Sequence, residues 1–300
     1  MASYITWASQ IMQLEYRGTE DKYPFHNMVN RKVCSELINI WKESFRDSVD
    51  YIEMFFYNRF VPDHTIVAVN NGQIIGAAYL LPAEIITVQG KVPAMFGYAL
   101  GVMKEHRGND LGKRIVDFIR DYCEENDCVF LFYPANERLV GYYEALGLTL
   151  AGSIKLLNYS YDSVPEAGKL FIEEISPRDY EVLRNKFFYS EGYVKWDSAA
   201  IDYAISENKY CGGFCYKFIY QSVECVVLGR RVEERLIITE IIAPDHFIPE
   251  IVKTLAAYYK ILQVSVYVPV KSKLDGKIIK WIMGYKTQIL TDSYCNLLLN

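Results

Sequence analysis

A glycine-punctuated turn between an apolar run and an amphipathic helix dictates much of how this chain can fold. Val92–Val102 is near-continuously apolar and reads as a central, buried strand. After it comes Lys104-Glu-His-Arg-Gly-Asn-Asp-Leu-Gly112. A helical stripe of Leu111, Ile115, Phe118, Ile119 and Tyr122 then lies opposite Arg114, Asp117, Asp121 and Glu124. A loop that joins a buried strand to a helix N-terminus is a natural anion site, because its free N–H groups and the helix dipole both favour a phosphate. Gly108 and Gly112 permit close backbone approach, and Arg107 and Lys113 add positive charge. Alone, the pattern fits a ligand-free β–α turn equally well.

A second pattern lies about 25 residues downstream, after a short buried strand at Val129–Tyr133. Asn136 is placed to cap a helix that Gly147 closes. On that helix Leu139, Tyr143 and Leu146 share one face, while Tyr142 is turned about 100° away. Tyr143 can therefore point toward the sheet with its hydroxyl available. A plain core tyrosine, paired to some buried acceptor, has the same spacing.

Taken together, the two patterns resemble the GNAT acetyltransferase superfamily. The family loop runs [Arg/Gln]-x-x-Gly-x-[Gly/Ala] after a strand ending Val-x-Pro, and this chain matches at Val102, Arg107, Gly108 and Gly112. It departs at Lys104, where the family often has Pro, and at Asp110, where it has Gly. The stretch from Asn136 through Tyr143 to Gly147-Leu148 is similar to the second signature, with its Tyr-Glu-Ala-Leu-Gly ending. The resemblance covers residues 33–160 in layout and 98–150 in motif.

It implies that backbone groups of Leu100, Gly101 and Val102 bind the acetyl and pantetheine portions of acetyl-CoA. Amides of Arg107, Gly108, Asn109, Asp110, Leu111, Gly112 and Lys113 would cradle the pyrophosphate, and Asn136 would lie along the pantetheine arm. Tyr143 would be the general acid. The Asp110 carboxylate adds negative charge beside phosphates, at a position where φ can be positive, so retained but weakened CoA binding is expected. No carboxylate lies on Met95–Val102 to serve as base. Glu84 on the preceding strand is a candidate, although a solvated strand-edge glutamate fits it as well.

The remaining chain reads as two halves of one order. In the first, helices at Val33–Phe45 and Asp50–Phe60 precede a hairpin, Thr65–Asn70 and Gln73–Leu81, turned at Asn71-Gly72. Pro82–Gln89 extends its second strand past a bend. Phe55, Phe56 and Phe60 are expected in the core, with Tyr57 at the edge of that stripe. Ala151–Tyr161 is a final strand, and the polar Asp162–Gly168 marks the domain boundary. In the second half, helices at Pro177–Tyr189 and Ser198–Asn208 precede strands at Phe214–Tyr220, Glu224–Arg231 and Leu236–Ala243. A helix at Phe247–Lys260, a strand at Val264–Val268, a short helix at Lys277–Met283 and a closing strand pair over Lys286–Leu299 follow.

The expected fold is therefore α/β (α+β), with two GNAT-like domains at 1–162 and 169–300, each a mixed, mostly antiparallel sheet flanked by helices. The first 30 or so residues are an unassigned extension. The second copy is degenerate: its turn, Ile242-Ala-Pro-Asp-His-Phe-Ile-Pro249, lacks Arg and Gly, and its prolines remove amide donors. Only the first copy is expected to bind CoA, with the second shaping the acceptor cleft.

Composition excludes several other roles. A net charge of −5, with 32 basic and 37 acidic residues and no basic block, argues against nucleic-acid binding. The four histidines are scattered and no cysteine pair has metal-ligand spacing, so no metal is expected. No apolar run reaches membrane-spanning length, and the amino-terminal residues carry no leader pattern. An odd number of cysteines, seven, fits free thiols in a reducing cytoplasm. The expected activity is acetyl transfer from acetyl-CoA to a primary amine of a small molecule or peptide. The alternatives are a non-catalytic acyl-CoA sensor or interaction module, and a peptidyl transfer of the Fem type.

Overall fold

Asn71 and Gly72 both adopt positive φ, 50° and 77°, and so close the two-residue hairpin that starts the sheet. A computed structural model describes residues 3–12, 28–136, 138–166, 168, 171–287 and 293–296. By contacts the chain divides into two units. Unit 1 is Met1–Pro82, Pro93–Thr149 and Gly284–Lys286; unit 2 is Ala83–Val92, Leu150–Met283 and Thr287–Asn300. Each carries a mixed, mostly antiparallel sheet flanked by helices.

The first unit holds β1 (Tyr4–Trp7), α1 (Met28–Phe45), α2 (Val49–Asn58), β2 (Thr65–Asn70), β3 (from Gln73, ending at Thr87), β4 (Gly90–Val102), α3 (Leu111–Glu125), β5 (Val129–Phe132) and α4 (Arg138–Ala145). Its strands run β1-β2-β3-β4-β5 across the sheet. β1 and β3 lie antiparallel to β2, and β5 lies parallel to β4. The Ser48 hydroxyl accepts the Tyr51 N–H and starts α2. The apolar side of α2 is core: Phe55 and Phe56 are buried with Trp41 and Tyr79, while Tyr57 is exposed. α3 buries Leu111, Ile115, Val116, Ile119 and Cys123, and Trp7 of β1 packs edge-on against Phe118 and Tyr122.

Within that aromatic cluster the Tyr79 hydroxyl is buried and has no hydrogen-bond partner among the described residues. An unmet buried hydroxyl costs about 1–3 kcal/mol. Tyr79→Phe should therefore raise stability by about 1 kcal/mol in thermal or urea unfolding; a loss of similar size would reveal a partner for the hydroxyl.

In the second unit, β6 (Thr149–Ser160, from Leu150 on), α5 (Pro177–Phe188), β7 (Val194–Lys195), α6 (Ser198–Tyr210), β8 (Gly213–Tyr220), β9 (Val223–Val232), β10 (Arg235–Ile242), α7 (Ile248–Tyr259) and β11 (Gln263–Pro269) follow in turn. Its sheet runs β6-β11-β10-β9-β8, with β10 and β11 parallel and the other pairs antiparallel. Residues 83–92, the tip of the β3–β4 hairpin, belong to this unit, and there Glu84 and Ile85 pair with β7. Unit 1 contains the order α-α-β-β-β-α-β, with α3 bridging the parallel β4 and β5; in unit 2 the two-residue β7 lies between the helices α5 and α6, and α7 bridges the parallel β10 and β11.

Two expectations need correction. Lys277–Tyr285 is a strand, β12, not a short helix. Its β-branched Ile278, Ile279 and Ile282 favour extended backbone over a helical turn. β4 is central but not buried throughout. Ala94, Phe96, Tyr98 and Gly101 are buried, whereas Met95, Gly97, Ala99, Leu100 and Val102 are only partly covered. Gly97, Ala99 and Leu100 among these line a cleft. Most of the closing pair expected over 286–299 lies outside the described residues.

Among the described residues, no helix is long and apolar enough to cross a membrane, and no cluster of His, Cys, Asp and Glu could hold a metal ion. Among the described residues no disulfide is formed.

Candidate functional site

The parallel ladder between β4 and β5 runs from Ala94 opposite Val129 to Gly97 opposite Phe132. Just beyond it, Ala99 takes φ of 49°, a left-handed kink rare for a residue with a side chain. A cleft of about 120 Å³ opens there within unit 1. Its walls are Gly97 to Leu100 of β4, Phe130 and Phe132 of β5, and Leu139 and Tyr143 of α4. Gly97 is required by its neighbour, since a Cβ there would sit 2.7 Å from the Phe130 ring.

At the end of β4 the chain turns into α3 through Gly108, with φ of 80°, and Asp110, with φ of 55°. Asp110 is the residue before the helix, yet its carboxylate makes no capping bond; its carbonyl accepts the Arg114 N–H. The first N–H groups of α3 thus lack a side-chain cap at this position. The Arg107 side chain does not extend from the loop. Its Nε donates to the Val102 carbonyl at 2.8 Å, and its Nη2 lies near Ser44 Oγ and 3.9 Å from Glu43. Glu43 also accepts the Lys104 N–H, which ties α1 to the turn. Lys113 pairs with Asp117 at 2.8 Å, and Arg114 donates twice to Ser3.

Helix α4 forms the opposite wall. Asn136 Oδ1 accepts the Arg138 N–H and the Asn136 carbonyl accepts the Leu139 N–H, so the expected cap is in place. Gly147, with φ of 79°, ends the helix, and the Leu148 N–H closes back on the Tyr143 carbonyl. Tyr143 is half-buried with its ring edge-on to Phe132 at 4.5 Å. Burial, and secondarily the neighbouring Tyr142, pushes its hydroxyl up to about 12. It is therefore protonated throughout the neutral range.

Leu100 and Tyr143 thus line one cleft, and Asn136 heads the helix that carries Tyr143. The loop residues Arg107, Gly108, Asn109, Asp110, Leu111, Gly112 and Lys113 lead from the end of β4 into α3. Glu84 lies in unit 2, where it bonds Lys195 at 3.1 Å and Lys91 at 3.2 Å. Burial would raise its carboxyl, but the bonds to the two lysines outweigh that and hold it below the usual range. A carboxylate held ionised by two ammonium groups is a weak base. The β10–α7 turn of unit 2 has Pro244 before it and Pro249 in the first turn of the helix.

Sequence reasoning passed over Tyr142. The residue is 44 % exposed, and its hydroxyl reaches the first turn of α3, 3.1 Å from where a Gly112 Cβ would stand. The adjacent tyrosine pair was the available signal, since consecutive helical residues point about 100° apart and so reach neighbouring positions.

Residues 32–148 match the family model described as the acetyltransferase (GNAT) family. Among solved structures, the chain is similar to a GCN5-related N-acetyltransferase from Anabaena variabilis, with a TM-score of 0.67 at 16% identity over 96% of this chain and 74% of that one. A probable N-acyltransferase of unknown function from Enterococcus faecalis matches with a TM-score of 0.68 at 11% identity, again over 96% and 74% of the two chains. Eis1 from Mycobacterium abscessus gives 0.62 at 10% identity over 86% and 72%. At these identities the likeness is one of fold. No curated protein sequence matches the chain.

Proposed function

We propose that the protein, whose residues 32–148 match the acetyltransferase (GNAT) family model, transfers an acetyl group from acetyl-CoA to a primary amine of a small molecule or peptide. The observation that carries this reading is the cleft beyond the last β4–β5 pair, with the protonated Tyr143 hydroxyl on its wall. Acetyl-CoA would supply the activated thioester. The apolar walls suit a pantetheine arm, and the glycine-bearing entry to α3 suits its pyrophosphate. Backbone groups of Leu100, Gly101 and Val102 would hold the acyl end, with Arg107 to Lys113 at the phosphates and Asn136 beside the arm.

In this reading Tyr143 donates its proton to the departing thiolate sulfur. The acceptor amine, with an ordinary pKa of about 10.4, must lose a proton before it attacks. Glu84 is a poor candidate for that task because two lysines hold it ionised. An ordered water, oriented by a backbone carbonyl of the kinked β4 segment, relays the proton to solvent instead. The second unit, with prolines in place of glycines at its β–α turn, is read as a degenerate copy that does not bind CoA.

A non-catalytic acyl-CoA sensor is the second reading, favoured by Asp110 and by the engagement of Glu84. Amine-dependent release of free CoA thiol separates the two. Calorimetric titration with acetyl-CoA should show one site per chain, and thiol release should then require an added amine. Saturable binding without any thiol release would support the sensor.

Asp110→Gly is expected to tighten acetyl-CoA binding about 5–10-fold. The change removes a carboxylate next to the phosphates; the left-handed strain it also relieves, about 1 kcal/mol, is common to the free and bound forms and adds to stability, not to affinity. Unchanged affinity in the same titration would place the Asp110 carboxylate outside the field of the phosphates.

A further inference from the structure

Three cations of the loop and the start of α3 are already engaged. Arg107 is folded onto the Val102 carbonyl, Lys113 onto Asp117 and Arg114 onto Ser3. None of these side chains is directed, as it stands, over the first turn of α3. The Tyr142 hydroxyl is: it comes within 3.1 Å of the Cβ position of Gly112, the second residue of the helix. Gly112 therefore has a second role, leaving room for this hydroxyl as well as for a ligand. The charged groups that act on Tyr142 are Asp110 and Lys113 at the first turn of α3 and Asp117 one turn further on. Burial, followed by the two aspartates, keeps its proton on. A neutral donor tolerates the adjacent Asp110 carboxylate and can still bond a phosphate oxygen. Tyr143, the next residue, lines the cleft, and its ring meets that of Tyr142 edge-on at 5.3 Å.

On the reading that this site takes acetyl-CoA, we infer that Tyr142 is a binding residue for the diphosphate end of the cofactor, donating its hydroxyl to a phosphate oxygen over the first turn of α3. No bond is made or broken at Tyr142, so its loss should weaken binding and leave the chemical step intact.

The test compares Tyr142→Phe with the native chain, using acetyl-CoA and acetyl-pantetheine, a thioester that lacks the nucleotide and its phosphates. With acetyl-CoA, Kd by calorimetry and KM should rise about tenfold, as for one hydroxyl bond to a charged acceptor, with kcat unchanged. With acetyl-pantetheine the variant and the native chain should turn over equally. An unchanged Kd for acetyl-CoA would overturn the inference. So would an equal loss with acetyl-pantetheine, because Tyr142 would then act by packing alone. If the native chain itself binds no acetyl-CoA, the proposed function fails together with the inference. Binding by the native chain with no effect of Tyr142→Phe removes the inference alone.

Discussion

Replacing Glu240 by Gln is expected to lower the stability of the protein by about 3–5 kcal/mol. Glu240 and Arg184 are both wholly buried, and they form a two-pronged pair with Nε–Oε1 at 2.9 Å and Nη2–Oε2 at 3.2 Å. Tyr180 donates to one carboxylate oxygen and Tyr294 to the other. Arg184 Nη1 donates to the Tyr193 hydroxyl and the Val194 carbonyl, and Nη2 also faces the carbonyls of Cys295 and Asn296. Every guanidinium N–H therefore has an acceptor. Glutamine keeps the volume but leaves a buried cation without its counter-charge, in a protein whose whole stability is on the order of 5–15 kcal/mol. Urea unfolding followed by intrinsic fluorescence reads the effect. A loss under about 1 kcal/mol would mean that water reaches the guanidinium or that the pair is not needed to keep it buried. Arg184→Met with Glu240→Leu should recover part of the loss, though three tyrosine hydroxyls would still lose partners.

Tyr143→Phe is expected to cut kcat by about 10²-fold or more, with the Kd for acetyl-CoA nearly unchanged. Phenylalanine keeps the edge-on contact with Phe132, so the wall of the cleft stays as it is and only the proton donor is lost. A hydroxyl pushed up to about 12 holds its proton at every pH where the protein would work. Its own titration should therefore not limit activity in the mildly alkaline range, and any such limb should persist in the variant. An unchanged kcat would assign the proton to water and leave Tyr143 as a wall residue.

Local chemistry explains what was legible from residues alone. The Asn71-Gly72 turn, the Asn136 cap and the Gly147 stop each depend on a few adjacent residues, and all three are present in the structure. The order of elements followed from apolar periodicity. β12 did not, because a short apolar run such as Ile278 to Met283 fits a buried helix turn and a strand alike, and tertiary pairing decides. The half-open face of β4 was equally hidden. Its residues are apolar because they line a cleft, and apolar lining has the same composition as core. Side-chain direction was the main loss at the site. Arg107 looked like a phosphate ligand by type and position, but the nearby Val102 carbonyl and Glu43, 64 residues earlier, draw it inward. Spacing alone also could not indicate that Glu84 meets Lys195, which is 111 residues away.

The buried Arg184 network also sets an order of events as the chain is made. Its acceptors come from 193–194, from 240 and from 295–296, so the guanidinium reaches its full set only after segment 293–296 has left the ribosome. That segment is woven in: Val194 and Tyr294 bond through their backbones, and the Trp196 indole N–H donates to the Cys295 carbonyl. Until it arrives, nascent unit 2 holds a cation short of acceptors, and waiting contacts of such sequence separation slow folding. The second unit is thus expected to mature after translation of residue 296, and pulse-labelled hydrogen exchange should find α5 among its last protected helices.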